Sequence, residues 1–143
     1  MDFFSEKILD HYKNPHNKGR LKDPTIRVKE KNPLCGDILE LDLKTDAKGK
    51  IKEVAISPIG CAISHASASM LSDKLKGMNI KDVENITNED VFKLFDNKIC
   101  HGRIKCVLLG LAAAKKAAIM ARNKLNAKKP EKLIRKKIIT KKP

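Results

Sequence analysis

Leu39, Leu41 and Leu43 alternate with Glu40, Asp42 and Lys44, the period of a strand with one buried face and one wet face. Asp46-Ala47-Lys48-Gly49-Lys50 reads as a turn, and Ile51 to Ser57 returns with Val54 and Ile56 inward, so the two runs predict an antiparallel hairpin. It ends at Pro58-Ile59-Gly60. Thr25 to Lys29 is a further short strand candidate.

Elsewhere the apolar period is helical. Phe4, Ile8, Leu9 and Tyr12 make one stripe over Phe3 to Lys13, and Asn14-Pro15 stops it because the residue before proline avoids the α region. Ile63, Ala66, Met70, Leu71 and Leu75 share a face over Ala62 to Leu75, with Gly77 as a stop. Thr87-Asn88-Glu89-Asp90 resembles a capping box ahead of Val91, Phe92, Leu94 and Phe95. A long helix is predicted from Ile104 to Leu125. Its first half is apolar almost all round, as burial against a sheet requires, and its second half turns basic.

Charge changes the picture at one end. Of the net +14, +9 falls between Arg122 and Pro143, where ten basic residues face Glu131 alone. Residues 1–126 are therefore expected to form one domain and 127–143 a basic tail. The apolar pattern decays in that tail, with Leu133, Ile134, Ile138 and Ile139 as a candidate last amphipathic turn. The tail reads as a solvated lysine-rich extension or as a contact for nucleic acid or another anionic surface. One Tyr and no Trp leave few platforms for stacking on single strands. The longest apolar run, Cys106 to Ala114, is far below the roughly 20 residues that span a bilayer. Four cysteines without a secretory signal predict reduced thiols and a cytoplasmic location.

Three of those cysteines sit where a thiolate is favoured. Cys35 lies in Asn32-Pro33-Leu34-Cys35-Gly36-Asp37, Cys61 follows Gly60 at the head of a helix, and Cys106 follows Arg103-Ile104-Lys105. Cations and helix N-termini lower a cysteine's pKa, and the thiolate is the form that binds metal. Their separations, 25 and 44 residues, leave a shared site open, since free cysteines are often simply buried. The hairpin brings its outer ends together, which makes Cys35 and Cys61 neighbours. If its segment is extended, Asp37 shares a face with Cys35. Three thiolates and a carboxylate suit tetrahedral Zn²⁺, and thiolates also ligate iron–sulfur clusters. One hard oxygen among soft sulfurs should make such a site exchangeable.

These segments resemble the NifU/IscU/SufU family of iron–sulfur cluster assembly proteins. The resemblance is carried by Ile8-Leu9-Asp10-His11-Tyr12-Lys13-Asn14-Pro15, the Cys35 segment, Gly60-Cys61-Ala62-Ile63-Ser64 with Ala66 to Leu71, and Arg103-Ile104-Lys105-Cys106. It implies an α+β fold, a small antiparallel three-stranded sheet with helices packed on one face. It also implies a site of Cys35, Asp37, Cys61 and Cys106 that takes sulfur from a cysteine desulfurase. There the family builds a transient [2Fe–2S] cluster for recipient apo-proteins, or holds Zn²⁺. A scaffold without turnover of its own is expected, as a monomer or weak dimer with no membrane contact. The IscU type has histidine where Lys105 stands and a Leu-Pro-Pro-Val-Lys chaperone motif where this chain has Ile99-Cys100-His101-Gly102-Arg103. The SufU type has the matching Arg-x-Lys-Cys, but with an insertion of roughly 20 residues between its second and third cysteines, against ordinary loop lengths.

Other polar candidates carry blander readings. Cys100 and His101 are spare residues or auxiliary ligands, and His65 is expected to be exposed. For His11 and His16, packing or solvent is the default. Ser64, Ser67 and Ser69 read as helix-surface and capping residues, with no histidine–carboxylate partner at hydrolase spacing. Arg103 and Lys105 are either surface charge or cations acting on Cys106.

Overall fold

The computed structural model describes residues 6–33, 36–99 and 101–128. Its elements run α1 (Glu6–Lys13), β1 (Ile26–Asn32), β2 (Asp37–Thr45), β3 (Ile51–Ile59), α2 (Ala62–Leu75), α3 (Ile80–Val83), α4 (Asn88–Leu94), a 3₁₀ turn (His101–Arg103) and α5 (Ile104–Lys128). Among the described residues the strands form one antiparallel sheet in the order β1-β2-β3. The α+β expectation holds.

The period-2 pattern decides which side chains meet the helices. Leu39, Leu41 and Leu43 are buried, and opposite them on β3 stand Pro58, Ile56 and Val54. α2 and α5 cover this face with Leu71, Leu75 and Val107. On α5, Ala113, Ala114, Ala117, Ala118 and Ala121 are fully buried; side chains this small let the helix lie close against its neighbours.

Several boundaries differ from the sequence reading. β1 reaches Asn32 because it pairs with β2 to the end of the hairpin, Asn32 opposite Asp37. β3 runs through Pro58 to Ile59. Proline is tolerated there because β3 lies at the sheet's edge, where its outer side meets the Asn17–Gly19 strap at Ile56 and the Gly77–Met78 turn at Ile51. The predicted capping box is present on Thr87 and Asp90, and α2 has the predicted bounds. Phe3 to Ser5 and residues 129–143, including the last amphipathic turn, lie outside the described residues.

Asp42 overturns the expectation of a wet β2 face. It is 1% exposed and binds Arg27 Nε at 3.0 Å, Arg20 Nε at 3.2 Å and the Leu21 N–H at 3.0 Å. The loop after α1 folds over the sheet's second face and buries this carboxylate beneath two guanidinium groups.

Candidate metal centre

Asp37 opens β2 on the same face as Leu39, Leu41 and Leu43, because residues two apart share a side of the sheet. That alternation carries a carboxylate into the layer between sheet and helices, where it is 2% exposed. Asn32 lies opposite it on β1, and Ile38 pairs with Ile59, which sets Gly60 beside Asp37 at the end of β3. A Cβ on Gly60 would stand 2.1 Å from Asp37 Oδ1. Gly60 has φ +142°, a conformation that glycine adopts without strain.

The chain then turns into α2 with Cys61 as its N-cap. The thiol makes no cap bond; Cys61 Sγ lies 3.6 Å from Asp37 Oδ2, and the Cys61 N–H donates to Oδ1 at 3.2 Å. Ser64, in the first turn, donates to Oδ2 at 2.6 Å. Cys106, in the first turn of α5 and fully buried, also hydrogen-bonds Asp37 through its side chain and lies 4.0 Å from Asn32 Nδ2. The ligand atoms of Asp37, Cys61 and Cys106 all lie within 4.8 Å of one another.

Burial alone would push the Asp37 carboxyl up. Hydrogen bonds from Ser64, Cys106, and the backbone and thiol of Cys61 together outweigh it, so the carboxyl sits below the usual carboxylate range. The site therefore holds an ionised oxygen between two sulfurs. Two helix N-termini, those of α2 and α5, lie at it, and their partial positive charge favours an anionic occupant. Two sulfurs and a carboxylate, at distances that one small ion could draw together, fit a thiophilic metal ion or an iron–sulfur unit.

Three of the four expected ligands are thus brought together. Cys35 lies outside the described residues. Cys100 is outside them too. His101 is exposed and borders a surface groove with Phe92, Asn97, Ile99 and Ile104, apart from the sulfur cluster. Arg103 is exposed; Lys105 is exposed and lines a groove with Glu30, Lys31 and Leu108.

The serines correct the sequence reading. Ser64, Ser67 and Ser69 are buried, not surface residues: Ser64 holds Asp37, Ser67 donates to the Val107 carbonyl, and Ser69 receives the His16 N–H. They lie where α2 packs against α5 and α1, and small hydroxyls both fit and satisfy backbone groups there. His65 is half-buried, edge-on to Tyr12 at 5.5 Å, and burial with Lys18 nearby pushes its pKa down. The sequence assigns no role to Asn32 or Gly60, and to Ser64 only a surface or capping one. Carrying the leucine alternation back to Asp37 would have pointed to Asn32 and Gly60 as its neighbours.

Among the described residues no helix is long and apolar enough to cross a membrane. A family model described as the NifU-like N terminal domain matches residues 3–128. The iron-sulfur cluster assembly scaffold protein IscU of Buchnera aphidicola subsp. Acyrthosiphon pisum is 32% identical over 117 residues, covering 80% of this chain and 91% of that protein. A solved scaffold protein named for the SUF system of Fervidobacterium islandicum AW-1 superposes with a TM-score of 0.63 at 27% identity, over 80% of this chain and 96% of that one. The N-terminal NifU-like protein of Brucella abortus gives a TM-score of 0.72 over 85% of this chain and 96% of that one; at 19% identity this shows a shared fold.

Proposed function

The chain belongs to the family of NifU-like N-terminal domains, and from that footing we propose that it is an iron–sulfur cluster assembly scaffold. It accepts sulfur from a cysteine desulfurase as persulfides on Cys35, Cys61 and Cys106, assembles a labile [2Fe–2S] cluster as cargo once an external thiol such as excess cysteine has reduced that sulfur to sulfide, and passes the cluster to apo-proteins. The observation that carries this reading is the meeting of buried Asp37 and Cys106 with half-buried Cys61 at the sheet's end.

Each residue has a part. Cys61 and Cys106 offer sulfur to iron, and Cys35 completes the set. Asp37 gives the one hard oxygen, which binds sulfur-loving iron least firmly and is the first to let go. The Cys61 and Cys106 thiols donate to Asp37; loading iron removes those protons, since the ligands are thiolates. Ser64 and the Cys61 N–H hold the carboxylate in place throughout.

Native mass spectrometry after anaerobic incubation with iron, cysteine and a desulfurase tests this. A mass increment of two irons and two sulfides, absent without cysteine, is expected. Stoichiometric zinc with no cluster would overturn the scaffold reading.

That outcome would favour a second reading, a SufU-like zinc-dependent sulfur relay, in which Zn²⁺ rests on the same four residues. Arg103-Ile104-Lys105-Cys106 favours it, because it matches the SufU-type pattern. Under the relay, desulfurase turnover rises when the zinc-loaded protein is added, and Cys106→Ser abolishes the rise. A zinc-stabilised RNA-binding role would depend on the basic tail, which lies outside the described residues. It requires binding that falls steeply with salt and vanishes when residues 127–143 are removed.

A further inference from the structure

A second group of metal-binding side chains lies at the opposite end of α2. His11 comes from the last turn of α1. Asn14-Pro15 ends that helix and turns the chain back, which sets the His16 ring 4.5 Å from the His11 ring, centroid to centroid. Ser69 and Asp73, four residues apart on α2, face this pair from one helical stripe. Ser69 Oγ lies 2.7 Å from His11 Nδ1 and accepts the His16 N–H at 2.7 Å. His16 Nδ1 meets Asp73 Oδ2. Donor atoms of His11, His16 and Asp73 all lie within 4.8 Å of one another.

We propose that His11, His16 and Asp73 form a second metal site, separate from the sulfur centre, for a divalent first-row transition ion such as Zn²⁺, Co²⁺ or Fe²⁺. The distances permit it. Two ligands on one ion at about 2.1 Å are at most about 4.2 Å apart, so closing the set needs movements of roughly half an ångström. The donors select the ion class: imidazole disfavours Mg²⁺ and Ca²⁺, and the lack of sulfur disfavours Cu⁺.

The surroundings are those of a held site. Ser69 fixes the His11 ring, and in the tautomer that gives Nδ1–H to Ser69 the Nε2 lone pair is left to ligate. Asn17 donates to Asp73 Oδ1 at 3.0 Å and to Ser72 Oγ at 2.8 Å, leaving Oδ2 turned toward His16. Asn17 reaches both from a left-handed backbone (φ 60°), which asparagine tolerates better than most residues. The His16 and Asp73 side chains are 44% and 46% exposed, so water can complete the coordination. Asp73 follows Cys61 by twelve residues on one helix, about 18 Å along its axis, so the two sites bind independently. A purely structural role, tying α1 and the turn after it to α2, would not need the meeting of the two rings with Asp73.

The test uses the tag-free full chain, stripped with chelator. Co²⁺ titration followed by absorbance should give one equivalent with sulfur-to-metal charge transfer and one without. In a parallel Zn²⁺ titration, the ring resonances of His11 and His16 should move with the second equivalent. His16→Ala and Asp73→Asn should each weaken that equivalent by at least roughly tenfold and leave the sulfur-bound one unchanged. Asp73→Asn keeps the side chain's shape, and circular dichroism checks both folds. Ring resonances that stay fixed up to millimolar Zn²⁺, or a second equivalent indifferent to both variants, would overturn the proposal.

Discussion

Asp37 fits at the end of the sheet only because residue 60 is glycine: a Cβ there would lie 2.1 Å from the carboxylate oxygen and 2.6 Å from its carbon. Gly60→Ala would also strain a backbone at φ +142°. The variant should lose about 1–3 kcal/mol of stability in urea unfolding of the chelated protein. It should also hold zinc less tightly in chelator competition, because Asp37 must swing away from the two sulfurs.

Ser64 donates to Asp37 at 2.6 Å, closer than the Cys61 N–H at 3.2 Å or the Cys61 thiol at 3.6 Å. Ser64→Ala should cost about 1.5–3 kcal/mol, the range for a hydrogen bond to a charged group. The folded carboxyl sits below its unfolded value, so its contribution is present above the unfolded pKa and lost as pH falls through the folded one. Removing Ser64 raises the folded pKa, so acid unfolding of the metal-free protein should begin at higher pH. Carboxyl chemical shifts of Asp37 against pH check the direction.

On the far face of the sheet, Asp42→Ala should cost about 2 kcal/mol. It leaves the Leu21 N–H and two guanidinium groups without their shared acceptor. The loss should appear in urea unfolding, with zinc binding at the sulfur centre unchanged because Asp42 lies on the opposite face.

His11 supplies a pH dependence near neutrality. Burial, then the neighbouring His16, hold its pKa below the ordinary histidine value. The unfolded chain therefore takes up a proton before the folded one does, and stability falls as pH drops below about 6.5. His65 is shifted the same way and adds to the slope. In chelator, denaturant midpoints should fall between about pH 7.5 and about pH 5.5. His11→Gln should flatten that dependence without removing it.

Much of this architecture was legible in residue order. The leucine alternation at 39, 41 and 43 specifies β2 because a one-residue slip would turn every leucine to water. An antiparallel hairpin sets the start of β2 beside the end of β3, and Asp37 and Cys61 do meet there. The parts of the molecule built from small or charged residues were harder to read. Serine has the same sequence signature on a wet face as in a helix–helix seam, so Ser67 and Ser69 gave no sign of burial. Asp42 alternated like a solvent residue; its burial depends on Arg20 and a loop that period alone does not place. His11, His16 and Asp73 are brought together by the turn at Asn14-Pro15 and the packing of α1 on α2, a long-range relationship with no local pattern.

The sulfur centre is built to load a cluster and then give it up. The most direct measurement follows cluster transfer to an apo-ferredoxin by visible circular dichroism, in an anaerobic mixture of desulfurase, cysteine, iron and this protein. A cluster signal is expected on this protein first, then its decay as holo-ferredoxin appears, with both absent for Cys106→Ser. A protein that keeps zinc, shows no cluster signal and leaves ferredoxin formation unchanged would contradict it.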